Sequence, residues 1–343
     1  MKKKIIVTGG TGYIGSHTAV ELIAGGFDVV IIDNLYNSEK SVLEGIRAIT
    51  GVTPKFYEYD LCDRQKLEEV FISEGKVDAI IHFAAYKAVG ESVRKPLEYY
   101  RNNFVSLMNL LEMMELHNTP ALVFSSSCTV YGQPDSLPVT EASPVKEAAS
   151  PYGYTKQAGE IIIRDTMAAR QSHKAVSLRY FNPIGAHPTA FIGELPRGVP
   201  ENLVPFITQT AIGLREELKV FGTDYDTPDG SCIRDYLHVV DLAKAHVKAL
   251  ERMLEGENKS NYEVFNLGMG KGVSVLEAIA AFEKATGVKL RYSLTDRRAG
   301  DIEKIWADPS LANRELGWKT EISIEEAMET AWRWENRLKN KES

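Results

Sequence analysis

Tyr152 and Lys156 stand four residues apart in a segment whose Ser150-Pro151 start and apolar spacing predict a helix to about Arg170. Both side chains therefore lie on one face. An isolated phenol titrates near pH ~10 and is a poor base at neutrality. A neighbouring ammonium and a helix N-terminus both favour the phenolate, which would make Tyr152 a general base toward a hydroxyl. Just upstream, Ser125, Ser126 and Ser127 close the strand-like run Ala121 to Phe124. They would put hydroxyls at the carboxyl edge of a sheet, where ligands of open α/β sheets bind. Taken alone, a tyrosine and a lysine at this spacing are an ordinary solvated helix pair. The serine-rich strand end and a glycine turn at the start of the chain favour the chemical reading.

That turn follows the β-branched run Lys4 to Val7. Gly10, Gly12 and Gly15 spell G-x-G-x-x-G, and Gly9, Gly12 and Gly15 spell the looser G-x-x-G-x-x-G. Apolar positions of helical period continue from Tyr13 to Leu22, and a second apolar run, Val29 to Ile32, ends at Asp33. This is a βαβ unit. Such a turn needs positive φ, no side chain where a pyrophosphate approaches, and close packing of helix on strand. The helix N-terminus then offers free N–H groups to the phosphates. Asp33 stands where a carboxylate accepts both ribose hydroxyls and would repel a 2′-phosphate, so the pattern predicts NAD rather than NADP. Glycines alone would also fit an unrelated α/β domain; strand, helix and acid together favour the dinucleotide.

The 343 residues give a prior of about two domains. Hydrophobic residues at 44% and charged residues at 25% place the chain among soluble globular proteins. A net charge of −7 argues against a nucleic-acid or anionic-membrane partner, while leaving room for a local basic pocket. No stretch is long and apolar enough for a membrane span, and the run after Lys2 to Lys4 ends at Thr8-Gly9-Gly10, too soon for a signal peptide. Cys62, Cys128 and Cys232 are odd in number and far apart, which predicts a reducing cytoplasm and neither disulfides nor zinc. The seven histidines are equally scattered, so no metal site is indicated.

The alternation continues along the chain. Helical patterns are expected over Ser41 to Ile49, Leu67 to Ile72 with Asp63 as N-cap, and Pro96 to Leu116. Strands are expected over Lys55 to Tyr59, Val77 to Phe83 and Ala175 to Tyr180. This spacing predicts an α/β fold with a doubly wound parallel sheet of Rossmann type. Pro183 to Pro200, rich in proline and glycine, reads as loop and domain junction. Beyond it helices are expected over Leu203 to Ile212, Val240 to Leu254, Val275 to Thr286, Ser310 to Leu316 and Ile324 to Leu338, with strands near Lys219 to Phe221 and Leu290 to Leu294 and a loop over Asp224 to Gly230.

The runs TGGTGYIG (8–15), SSSCTVYG (125–132) and YGYTK (152–156) resemble the extended short-chain dehydrogenase/reductase superfamily. More closely, HFAAYKAVGES (82–92), RYFNPIGAHP (179–188) and RDYLHVVDL (234–242) resemble its UDP-glucose 4-epimerase family, in order and over nearly the full length. The resemblance implies an NAD-binding Rossmann domain over residues 1–182, with a return of the chain near 232–268, and a smaller C-terminal α/β domain over 183–343 that mainly binds a UDP-sugar. It makes Tyr152 the base, Lys156 the holder of the nicotinamide ribose and Ser127 the partner of the reacting 4-hydroxyl. It gives NAD to Gly9, Gly12, Tyr13, Ile14 and Gly15; to Asp33, Asn34, Leu35, Tyr36, Asn37 and Ser38; to Asp60, Leu61, Phe83, Ala84, Lys87 and Asn102; and to Tyr180 and Phe181. The UDP-sugar falls to Ser127, Tyr152, Asn182, Asn202, Leu203, Phe221, Arg234, Tyr236, Arg298, Asp301 and Ile305. Without the resemblance Arg234 and Arg298 would read as surface ion-pair arginines, Lys87 as a solvated loop lysine, Asn102 as a polar helix position and Phe221 as core.

The implied activity is interconversion of UDP-glucose and UDP-galactose. Tyr152 removes the 4-hydroxyl proton as C4 gives hydride to NAD, the 4-keto sugar swings about its diphosphate, and hydride returns to the opposite face. Where restricted members of the family carry a tyrosine, this chain has Ile305 in KIWAD (304–308), which leaves room for an N-acetyl group at the sugar's 2-position. The rivals are a nucleotide-sugar 4,6-dehydratase or decarboxylase of the same superfamily and a non-catalytic NAD sensor. Cys128 and Thr129 stand where dehydratases place acids, and a sensor would have no use for Tyr152 and Lys156. The two long helices, Pro96 to Leu116 and Pro151 to Arg170, predict a homodimer through a helical bundle; the other account has their stripes face only their own sheet.

Overall fold

The computed structural model describes residues 2–297 and 302–342. The first half alternates, with two successive helices after β4: β1 (Lys4–Thr8), α1 (Tyr13–Ala24), β2 (Asp28–Ile32), α2 (Val42–Thr50), β3 (Lys55–Tyr57), α3 (Arg64–Glu74), β4 (Ala79–His82), α4 (Val89–Arg94), α5 (Pro96–Leu116), β5 (Ala121–Ser125), a 3-10 turn (Cys128–Tyr131), α6 (Pro151–Ala169) and β6 (Lys174–Tyr180). Then come β7 (Asn182–Ile184), α7 (Leu203–Ala211), β8 (Leu218–Phe221), β9 (Ile233–Arg234), β10 (Tyr236–His238), α8 (Val239–Leu254), β11 (Tyr262–Leu267), β12 (Val273–Ser274), α9 (Val275–Thr286), β13 (Tyr292–Thr295), α10 (Ser310–Glu315) and α11 (Ile324–Glu342).

Seven strands form one parallel sheet in the order β11-β6-β5-β4-β1-β2-β3. The order reverses between β1 and β4, which opens a crevice at their carboxyl ends. Successive strand residues face opposite sides. Ile5 and Val7 accordingly join one buried cluster, toward α1, α2 and α8, and Ile6 joins the other, toward α3, α5 and α6. A third cluster, including Ile184, Ile207, Val220, Phe282 and Met328, holds the C-terminal elements together. The chain returns to the large sheet through β11, which pairs with β6 from Tyr262↔Ala175 to Leu267↔Tyr180.

The helix starts follow local chemistry. Asp63 accepts from Lys66 N, Ser150 from Gly153 N, and Ser274 with Glu277 makes a reciprocal capping box. Each such cap contributes about 1 kcal/mol. The structure adds the helix α4 and the strand β11, for which the sequence carries no expected element, and the other differences lie in short strands. The expected strand over Lys55 to Tyr59 stops at Tyr57, and Asn182, Pro183 and Ile184, in or beside the segment read as loop, pair with β10. The last strand is Tyr292–Thr295 rather than Leu290 to Leu294. Strands of two or three residues carry no period to read. All three cysteines are free thiols. No helix among the described residues is long and apolar enough to cross a membrane.

Candidate active site

The β1–α1 turn is built for a close approach. Gly9 adopts φ +69, and a Cβ there would lie 2.7 Å from Ala84 N. A Cβ on Gly15 would overlap Gly9 O. Of the two glycine registers in the sequence, the one with Gly9 therefore carries the left-handed turn. Gly12 caps α1 without any side-chain hydrogen bond and no acid sits in the first turn. The amides of Tyr13, Ile14 and Gly15 are thus left for an anion. Tyr13 itself is anchored, its hydroxyl donating to Gly185 O at 2.6 Å.

Asp33 follows β2 directly, with a buried carboxylate. It accepts from Thr11 N at 3.2 Å, Leu35 N at 2.9 Å and Ser38 Oγ at 3.2 Å, and Ser38 Oγ in turn shares 2.7 Å with Thr11 Oγ1. Asn34 donates to Asp60 at 3.1 Å, Tyr36 stacks on Tyr86 at 4.4 Å, Asn37 is exposed and Leu61 buried. An uncapped helix end, a glycine cradle that side chains would fill and a carboxylate 18 positions beyond Gly15 fit a dinucleotide. Phe83 and Ala84 meet this turn at the end of β4. Asn102 donates to Asn103 at 2.9 Å, and Lys87, exposed, lies 3.7 Å from Glu194. Tyr180 is hydrogen-bonded to Ser125; it and Phe83 pack on His246, and Phe181 is buried beside them in the chain.

Tyr152 and Lys156 face the strand end as their spacing requires. Lys156 Nζ donates to Ser125 O at 2.6 Å and sits 4.9 Å above the Phe124 ring and 5.8 Å from the Tyr152 ring centre. The Ser127 hydroxyl, which accepts from Thr129 N at 3.2 Å, lies close to the Tyr152 phenol. In the packed site burial works against the ammonium and the helix end. Burial pushes the Tyr152 phenol up, Tyr180 beside it adds to the rise, and the Ser127 hydroxyl opposes them. Burial also pulls Lys156 down to about 7 against the pull of Glu160. Desolvation disfavours both charged forms, so the phenolate needs a compensating positive charge in the site.

Glu160, one turn past Lys156, fixes the arrangement. Its carboxylate accepts from Arg179 at 2.6 and 2.9 Å and from Ser126 Oγ at 2.5 Å, all buried. Removing one partner of such a pair costs about 3–5 kcal/mol. Neither Glu160 nor Asn103 stands out in the sequence. Asn103 joins the loop after β4 to α6, bonding Tyr86 N, Tyr86 O and Thr155 Oγ1 at 2.8, 3.1 and 3.0 Å. A polar residue at a buried helix position is the signal that would have found both.

On the other wall Asn182 N donates to Asp235 O at 2.9 Å, which brings β7 beside Arg234 and Tyr236. Ile305 is buried and donates its N–H to Ile233 O at 3.2 Å. Asn202 precedes α7 and donates to Glu194 at 2.6 Å, with Leu203 half-buried behind it. Phe221 is exposed at the end of β8, so core packing does not explain it. Arg298 and Asp301 lie outside the described residues. Cys128 follows Ser127, its thiol pushed up to about 11 by burial. Among the described residues no three His, Cys, Asp or Glu side chains converge as metal ligands.

Residues 5–268 match the model of the NAD dependent epimerase/dehydratase family. The chain is 50% identical over 332 residues to UDP-glucose 4-epimerase of Bacillus subtilis (strain 168), covering 97% of this chain and 96% of that protein. It superposes on the UDP-glucose 4-epimerase of Bifidobacterium longum, solved with NAD+ and UDP, with a TM-score of 0.94 at 46% identity over 98% of this chain and 99% of that one. The enzyme of Stenotrophomonas maltophila, solved with NAD and formylated UDP-arabinopyranose, gives 0.95 at 46% identity over 99% of both.

Proposed function

This chain belongs to the NAD dependent epimerase/dehydratase family, and we propose that it is an isomerase interconverting UDP-glucose and UDP-galactose through oxidation and re-reduction at C4. The observation that carries the proposal is the convergence of Ser127, Tyr152 and Lys156 at a strand end next to an uncapped, glycine-lined helix N-terminus. NAD, held at that turn, would supply a hydride acceptor and a positive charge. Tyr152 takes and returns the 4-hydroxyl proton, Ser127 orients that hydroxyl, and Lys156 holds ribose hydroxyls while favouring the phenolate. Arg234 and Arg298 serve the diphosphate, onto whose oxygens a guanidinium can fork, and Asn182, Asn202, Leu203, Phe221, Tyr236 and Asp301 serve the nucleotide and sugar. The dehydratase alternative lacks its acids here, since Cys128 and Thr129 follow Ser127.

Ile305 sets substrate breadth in this proposal: its side chain is smaller than tyrosine, so an N-acetyl group fits. Purified protein given UDP-galactose should yield UDP-glucose, and given UDP-N-acetylgalactosamine it should yield UDP-N-acetylglucosamine, both read by chromatography. Turnover of the first alone would remove Ile305 from this role; turnover of neither, with NAD added, would overturn the assignment. The protein acts in the cytoplasm as a homodimer. Leu97, Met108, Tyr154 and Ile161 leave apolar surface exposed on α5 and α6, and Tyr100, Phe104 and Tyr154 cluster between those helices. A solution mass of one chain would contradict the dimer.

A further inference from the structure

The segment between β7 and α7 reaches from the substrate wall back to the cofactor wall, and two of its side chains grip loops there. Arg197 donates through Nη1 to Tyr36 O at 2.9 Å and through Nη2 to Ser38 O at 2.6 Å. Three residues earlier, Glu194 lies 3.7 Å from Lys87 and accepts from Asn202. The base of the segment is firm, because Trp334 Nε1 donates to Glu194 O at 2.8 Å and Gly193 packs against the Trp334 ring, where a Cβ would clash.

The gripped loop needs holding. Leu35 sits at φ +58, a conformation that residues with a Cβ avoid, and Tyr36 and Asn37 are exposed. What fixes the loop is a short chain of polar contacts: Asp33 accepts from Leu35 N and from Ser38 Oγ, and Arg197 holds the carbonyl of that same Ser38. Fastening Ser38 therefore also fixes the direction of the Asp33 carboxylate. Arg197 lies 159 and 161 positions from its two acceptors. Its contacts tie two distant segments that no local structure joins.

We propose that Arg197 is a positioning residue that straps the 33–38 loop over the bound dinucleotide and slows its release. This rests on the reading that the loop holds the adenosine ribose of NAD. The guanidinium is exposed, so its bonds exchange with water and the strap opens transiently. Such a device acts on the rate at which the cofactor leaves more than on the stability of the fold. A fork is required, because the two carbonyls are held by different nitrogens; a single ammonium on a flexible stem has no such fixed pair of donors.

The test compares wild type, Arg197→Ala and Arg197→Lys, each loaded with radiolabelled NAD and chased with unlabelled NAD, release being followed by rapid gel filtration. Release from Arg197→Ala should be about ten- to a hundredfold faster, the range expected for two hydrogen bonds from a charged donor, one exposed and one partly buried. Arg197→Lys should be intermediate. Melting temperatures of the NAD-stripped proteins should coincide, which a general folding defect would not produce. Equal release rates in a wild type that holds NAD would overturn the strap and leave the cofactor reading standing. A wild type that takes up no NAD at all would overturn both.

Discussion

Tyr152→Phe should lower turnover of UDP-galactose about 10²- to 10⁴-fold while NAD content and melting temperature stay near wild type. The substitution removes one oxygen from a buried ring. Ser127 nearby retains the Thr129 amide as donor at 3.2 Å, so the local fold has little reason to change. The loss should fall on kcat, because the nucleotide carries the binding and the phenol acts only on the reacting hydroxyl. Near-normal kcat would remove Tyr152 from the role of base, and a lost NAD would show that its effect is structural.

Lys156→Met should lower turnover by about tenfold to a thousandfold, the span corresponding to the one to three units by which a close cation shifts a neighbouring acid. The same substitution tests the electrostatics of the fold. Lys156 is held at about 7 in the folded chain against 10.5 as an ordinary lysine. Between these values the unfolded chain binds a proton that the folded chain does not, so stability contributed by this group rises with pH from about 7 to 10.5. Below about 7 the ammonium is buried and charged, and that contribution is absent. Urea unfolding at pH 7.5 and 9.5 should therefore show a wild-type slope steeper than that of Lys156→Met by up to about 1.4 kcal/mol per pH unit. Equal slopes would mean that Lys156 titrates alike in both states.

The features legible in the sequence are those whose cause is local. The βαβ start, the caps Asp63 and Ser150, the one-sided placement of Tyr152 and Lys156, and the serines at the end of β5 follow from period, turn chemistry and spacing. Pairings of two or three residues, such as β9 with β12, carry no such period. The buried Glu160–Arg179–Ser126 contact and the Arg197 strap join segments 19 to 161 positions apart, so no window of sequence contains both ends. The depth of burial of Tyr152 and Lys156 is hidden from the sequence for a related reason. Spacing places an ammonium near a phenol, but how much water each has lost is a property of the packed site.

The most direct test uses UDP-galactose carrying deuterium at C4, turned over in ordinary water, with the product UDP-glucose examined by NMR and mass spectrometry. If the hydrogen leaves C4 as hydride, is kept in the site and returns to the opposite face, the deuterium will be found at C4 of UDP-glucose in nearly every molecule. Loss of the label to solvent would mean that C4 is epimerised by proton exchange, and would contradict the redox account of Ser127, Tyr152 and Lys156 at its centre.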